Sequence, residues 1–387
     1  MLEYDYSSAV ENGVLRYLEI KYRDHKVALL NSKGSYGKIY KITNTNDQTK
    51  IKALKVMRDV DNFDIHHSLE EGTRMLKYSH LNCNIAKVFD VFILYPQEAE
   101  RIMGLDESGQ PPFQHKHLCI EMEYYENGSL DSVFKSNQDP SRDSKPKLTS
   151  SILKQILKQI TLALKHVQEY DHIIHNDIKP DNILVGNIEQ QVDNDQIIDI
   201  QVYLSDFGLA ITPSESPASN YNLKKPFYPY EEIPSKSADI FALSVSLYDL
   251  TTKQLTAQQD RSLRNVQCDD ETIRMNYHNA GISDDQLINV LISMMNKDAS
   301  KRPTCDQILD GIGVTYEKTL FVKRFEAKTN SKKTSWLIYC LIALLFCLAA
   351  YFCYPYLEAG LLKQKSKNMD LGKELILNSI ESPKEDV

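Results

Sequence analysis

Short apolar runs rich in β-branched residues, over 38–43 and 51–57, break a more polar chain and predict strands. In the same region residues 65–78 repeat at helical spacing. After the turn-forming Glu126-Asn127-Gly128 the period lengthens. Ile152, Ile156 and Ile160 fall on one face of 151–170, and 239–250 and 284–295 continue the helical pattern. The chain therefore reads as α+β, with a small sheet-rich part before residue 122 and a larger helical part after it. Two polar stretches interrupt it, 136–147 and 187–201; these read as surface loops or, for the second, a lengthened hairpin. No internal repeat is visible.

A different pattern begins at Trp336. Residues 336–354 carry no charge and are rich in Leu, Ile, Ala and Phe, long enough as a helix to cross the roughly 30 Å hydrocarbon core of a bilayer. Trp336 stands at one end, Tyr354 and Tyr356 at the other, and Pro355 closes the helix. A buried core helix is also apolar, but this run is apolar all round and follows a basic stretch, so a single membrane span is expected. Lys323, Arg324, Lys328, Lys332 and Lys333 favour that flank as the cytosolic side. The late span suits tail-anchored insertion into an endomembrane. Residues 313–335 then form a basic linker and 355–387 a short tail, helix-like over 370–380.

Composition narrows the class only a little. A hydrophobic fraction of 42% and a charged fraction of 25% over 387 residues are those of a folded globular chain. The net charge of -8 speaks against a broad nucleic-acid surface, so no DNA or RNA partner is expected. Of the seven cysteines, Cys83, Cys119, Cys268 and Cys305 are far apart and Cys340, Cys347 and Cys353 lie in the apolar run, which indicates neither a disulfide framework nor a zinc site. The first residues are acidic and lack the basic and apolar regions of a signal peptide, so the main domain is expected in the cytosol.

Chemistry concentrates in His175-Asn176-Asp177-Ile178-Lys179-Pro180-Asp181-Asn182. One short loop holds a carboxylate, an ammonium and an amide, which suit a base for an incoming hydroxyl, a cation for a moving phosphoryl group and an oxygen ligand for magnesium. Further on, Asp206-Phe207-Gly208 follows the apolar run 200–204 and adds a second hard oxygen ligand at a strand end. Alone that tripeptide is a weak signal; the octapeptide is a strong one, and their order strengthens both.

With these motifs the sequence resembles the eukaryotic protein kinases from about residue 27 to 309. The family's two-lobed fold implies an N-lobe over 26–122, a hinge at 123–126 and a C-lobe over 127–312, with residues 1–25 as an N-terminal extension. The stretch from Ser32 to Ile39, with Gly34 and Gly37, is similar to the glycine-rich loop over the ATP phosphates, Ser32 standing where the first glycine is usual. Ala53-Leu54-Lys55-Val56 resembles the strand whose lysine reaches those phosphates and pairs with a helix glutamate; Glu71 is the expected partner, with Glu70 beside it. Met122 matches the gatekeeper, and the backbone of Glu123 to Tyr125 matches the adenine-binding hinge.

The resemblance further implies that Asp177 orients or deprotonates the substrate hydroxyl, that Lys179 stabilises the transferred phosphoryl, and that Asn182 and Asp206 hold Mg²⁺ on ATP. Lys179, two positions after Asp177, is the residue type of the Ser/Thr kinases. His175, Phe207, Gly208 and Asp239 are expected to be structural, as is a buried ion pair between Glu231 and Arg302. Phe241 stands where tryptophan is usual. One departure bears on regulation: Asn176 replaces the arginine that in many relatives binds an activation-segment phosphate, so phosphorylation at Thr212, Ser214, Ser216 or Ser219 is not expected to be the on-switch. Two other classes stay open. A membrane-tethered pseudokinase is permitted by Ser32 and Asn176, and a small-molecule kinase by the shared fold.

Overall fold

Five antiparallel strands make the first layer: β1 (His25–Asn31), β2 (Gly37–Asn44), β3 (Ile51–Met57), β4 (Val88–Leu94) and β5 (His117–Glu123), in the order β1-β2-β3-β5-β4. In the computed structural model the described residues are 8–31, 37–57, 62–78, 83–105, 109–113, 115–134, 146–191, 196–212, 234–252 and 269–314, all within one unit, Met1–Thr315. The loop 32–36 with Ser32 and Gly34, the side chain of Glu71, the segment 213–233 with Glu231, and the whole of Tyr316–Val387 lie outside them. The span expected at 336–354 therefore falls outside as well; among the described residues no helix is long and apolar enough to cross a membrane.

Alternation along the strands divides the sheet into two faces. Tyr40 and Ile42 of β2, Leu54 and Val56 of β3 and Cys119 of β5 point to one of them. There they pack with Val14, Tyr17 and Leu18 of helix α1 (Ser8–Lys21), Leu94, Ala99 of helix α3 (Pro96–Met103) and Phe113. Residues 8–25, expected to precede the domain as an extension, thus supply α1 to the core of the N-lobe and the start of its first strand. Gly13 allows the approach, because a Cβ there would collide with the Pro112 carbonyl. Beyond the helix the Tyr22 hydroxyl donates to Glu121 Oε2 at 2.7 Å, and Lys52 Nζ lies 2.5 Å from Glu121 Oε1. Helix α2 (Asn62–Tyr78) packs against β4 and β5.

The C-lobe is built from α4 (Leu130–Phe134), α5 (Ser150–Tyr170), the hairpin β6 (Ile183–Gln190) and β7 (Ile197–Leu204), then α6 (Lys236–Thr252), α7 (Asp270–Asn279), α8 (Asp285–Met294) and α9 (Cys305–Gly311). Side-chain caps start four of these helices: Thr149, Asp269, Asp284 and Thr304 each accept from a backbone N–H in the first turn, and Gln307 completes a capping box with Thr304. Residues 238–250 of α6 are all buried, so this helix is the axis of the lobe.

The stretch 187–201 forms the hairpin rather than a loop. The outer edge of β7 is met by side-chain amides from α5. Gln155 binds Ile198 O at 3.2 Å and the Ile200 N–H at 3.1 Å, and one turn later Gln159 binds Ile200 O at 2.8 Å and the Val202 N–H at 3.0 Å. Asn84 continues the row, its amide donating to Val202 O at 3.1 Å and its carbonyl accepting from Leu204 N at 2.8 Å. Two residues of strand rise by about 6.8 Å and four of helix by about 6 Å, close enough for successive glutamines to serve as two rungs.

Two predictions test this architecture. Leu18→Ala removes a fully buried side chain of α1 and is expected to destabilise the protein by about 3 kcal/mol in denaturant unfolding; no change would mean that α1 is not part of the core. Burial pushes His117 and His166 each down to about 4. Below about pH 6.5 the unfolded chain takes up protons that the native state refuses, so stability is lost as pH falls from 6.5 towards 4. At pH 5.5 each histidine is expected to cost on the order of 1 kcal/mol, read as a lower urea midpoint than at pH 7.5.

Candidate active site

The loop between α5 and β6 is shaped from below. Asp239, on the first turn of α6, is fully buried and accepts the backbone N–H of His175 on Oδ2 and of Asn176 on Oδ1, both at 2.8 Å, with the Gln168 amide on Oδ2 at 3.1 Å. Burial raises its carboxyl despite these bonds. Asn176 is thereby held at φ 66°, a left-handed conformation that asparagine tolerates better than most residues. Burial likewise lowers His175, which is neutral: its Nδ1 accepts from Asp177 N at 3.3 Å and its Nε2–H donates to Ser205 O at 3.1 Å.

Asp177 emerges from this loop nearly buried. Its Oδ2 accepts from Lys179 Nζ at 2.7 Å and from Asn182 Nδ2 at 2.9 Å, and its carbonyl accepts from the same Asn182 amide at 2.8 Å. The Asn182 amide nitrogen thus donates only towards Asp177. Asn182 ends a 3₁₀ turn, and the hairpin that follows pairs Ile183 with Leu204, so the residues just outside the pair meet. Ser205 donates both its N–H and its hydroxyl to Asn182 O at 2.9 Å, leading directly into Asp206.

Asp206, at φ 63°, is the point where the lobes join: its Oδ1 lies 3.0 Å from Lys55 Nζ of β3. Burial alone would raise the Asp206 carboxyl, but the Lys55 and Lys179 ammonium groups outweigh it and hold the group well below the usual carboxylate range. Burial also works against the Lys179 ammonium, and Asp177 and Asp206 outweigh that, leaving it above its ordinary value. Phe207 is buried beside them, its ring 4.7 Å from His175 and 5.7 Å from Tyr78, and Gly208 follows in a turn.

Of the other expected residues, Ile39 faces Lys55 across β2 and β3, and Ala53 lies between Lys41 and Met122. A Cβ on Gly37 would strike the Val56 carbonyl, so the end of β2 hugs β3. At the hinge the Tyr125 hydroxyl accepts from Lys87 N and donates to Glu123 Oε2, both at 3.2 Å, with its ring 4.9 Å from Tyr203. Arg302 is buried with its guanidinium 4.7 Å from the Phe241 ring, Nε donating to Asn296 O at 2.8 Å and Nη1 to Ser237 O at 3.1 Å. Glu71 lies on α2 with its side chain outside the described residues, as does all of Glu231. Sequence reasoning missed Asn84, Gln155 and Gln159, whose amides look like ordinary polar helix or loop positions.

Magnesium fits these donors. It is bound in nucleotide sites through one or two protein oxygens plus phosphate and water; Asp206 offers an ionised carboxylate and Asn182 an amide oxygen. Among the described residues no group of three or more His, Cys, Asp or Glu could hold a metal by itself.

A two-lobed fold thus brings together an ionised aspartate, a paired aspartate and lysine, and a held asparagine. The chain belongs to the protein kinase family: the family's protein kinase domain model matches residues 32–311. Among similar proteins, the probable serine/threonine-protein kinase nek1 of Dictyostelium discoideum is 26% identical over 295 residues, covering 72% of this chain and 54% of that protein. A probable protein kinase of the same organism is 28% identical over 281 residues, with 71% and 68% covered. Mitogen-activated protein kinase kinase kinase 10 of Xenopus laevis is 24% identical over 319 residues, with 80% and 28% covered. The chain thus spans about half the length of the first and less than a third of the last.

Asp239→Ala leaves two buried backbone N–H groups without acceptors. It is expected to cost about 3 kcal/mol or more in denaturant unfolding, a loss that an unchanged midpoint would contradict.

Proposed function

We propose that this protein is a membrane-anchored Ser/Thr protein kinase that transfers the γ-phosphoryl group of Mg-ATP to protein hydroxyls. The observation that carries the reading is the meeting of Lys55, Asp177, Lys179, Asn182 and Asp206 through the contacts given above. In transfer, the substrate hydroxyl oxygen forms a bond to the γ-phosphorus as the bond to the β–γ bridging oxygen breaks, and ADP leaves. Asp177 orients the hydroxyl and takes its proton. Lys179 faces the oxygens on which charge is spread, and Lys55 positions the phosphates. Asn182 and Asp206 would hold Mg²⁺, which when bound would supply neutralisation of the phosphate charge.

The choice of Ser/Thr rests on Lys179 and on the names of the similar proteins; the anchor rests on residues 336–354 and the basic stretch before them, with the kinase domain on the cytosolic side. Asn176, a neutral amide, is read as a catalytic loop that works without an activation-segment phosphate.

The test is phosphate transfer from labelled ATP to casein by the full chain in detergent. Asp177→Asn and Lys55→Met are each expected to lower kcat by about 100-fold or more with folding retained, and chelation of Mg²⁺ to abolish transfer. A folded wild type with no transfer would favour a pseudokinase. Protease protection in microsomes tests the anchor: a fully accessible C-terminus would overturn the span.

A further inference from the structure

The segment that follows Asp206 is held at three consecutive residues. The Asn176 side-chain amide donates to Leu209 O at 3.2 Å, Arg74 Nη1 donates to Ala210 O, and Ile211 exchanges two backbone bonds with Ile174, at 2.9 and 3.0 Å. The holds come from different places. Asn176 belongs to the catalytic loop, Ile174 to the chain just before it, and Arg74 to α2 in the other lobe.

Resting on the kinase reading above, we propose that Arg74 is a positioning residue that, with Asn176, keeps the segment after Asp206 in its working place without a phosphate. Arg74 is largely withdrawn from solvent, with 16% of its side chain exposed, so its bond to Ala210 O is little screened. Its Nη2 lies 3.4 Å from Glu70 one turn earlier on α2, a long contact to an exposed carboxylate that leaves Nη1 to the segment. Four residues after Arg74, Tyr78 packs at a tilt against Phe207. Helix α2 therefore grips the segment on both sides of Gly208, and cannot swing outward without giving up a charge-assisted bond to Ala210. Asn176 completes the arrangement: an amide that donates to a carbonyl does the ordering that elsewhere needs an arginine and a phosphate.

The experiment uses the full chain treated with phosphatase, with two readouts: ADP formation on casein and amide hydrogen exchange of peptides covering 206–212. Phosphatase-treated wild type is expected to stay active and protected at Ile211. Arg74→Ala is expected to lower kcat by about tenfold with little change in KM for ATP, and to speed exchange at Ile211 by a similar factor. Arg74→Lys, which keeps one donor, recovers part of both, and Glu70→Gln leaves both near wild type. The proposal is overturned if phosphatase alone removes activity and protection, if Arg74→Ala matches wild type in exchange, or if Glu70→Gln does as much damage as Arg74→Ala. A wild type protected at Ile211 but forming no ADP would instead sink the catalytic reading and leave the latch standing.

Discussion

A buried carboxylate that accepts two successive backbone N–H groups leaves the chain above it one shape to adopt. Asp239 does this under His175 and Asn176. The loop above it is turned into a left-handed conformation at Asn176, and His175 is fixed in one tautomer that reads the backbone on either side, Asp177 N and Ser205 O. Through Ser205 the same order reaches Asn182, so Asp177, Asn182 and Asp206 are spaced by backbone bonds rather than by packing alone. Such a site is stiff in a low-dielectric setting, where misplaced charges are costly.

The two lobes meet at charges of opposite sign. Lys55 stands on a strand whose far side is filled by α1, so its position along β3 is set by the same alternation that buries Leu54 and Val56. The cost of withdrawing Asp206 from water is offset by two ammonium groups, and the pair lies where nucleotide phosphates would add negative charge. The N-lobe sheet is thus a rigid support for Lys55, and the outer helix is part of that support.

How much of this could be read beforehand depends on the kind of signal. The loop around Asp177 and Asp206-Phe207-Gly208 were legible because chemistry demands certain groups at short, fixed spacing, whereas Asp239 was legible only through the resemblance to the protein kinases. Helix α1 was not. Its sequence carries Gly13 and a mixed pattern of charges, and only the contact with Pro112 and the sheet explains them. The rungs made by Gln155 and Gln159 were equally hidden, since two glutamines one turn apart read as a wet face until a strand edge is seen beside them. The roles of Glu71, Glu231 and residues 336–354 rest on spacing and hydropathy alone, because these side chains lie outside the described residues.

The glutamine rungs also determine where this protein tolerates change. A helix and a strand advance at different rates, so side chains from one can follow the edge of the other for two steps and then lose register. The far end of the hairpin, from Gln191 to Gln196, is beyond that reach and closes on its own backbone bond between Gln191 N and Gln196 O. The ends of the hairpin at Gln191 and Gln196 are accordingly a natural place to graft a peptide tag or a fluorescent reporter.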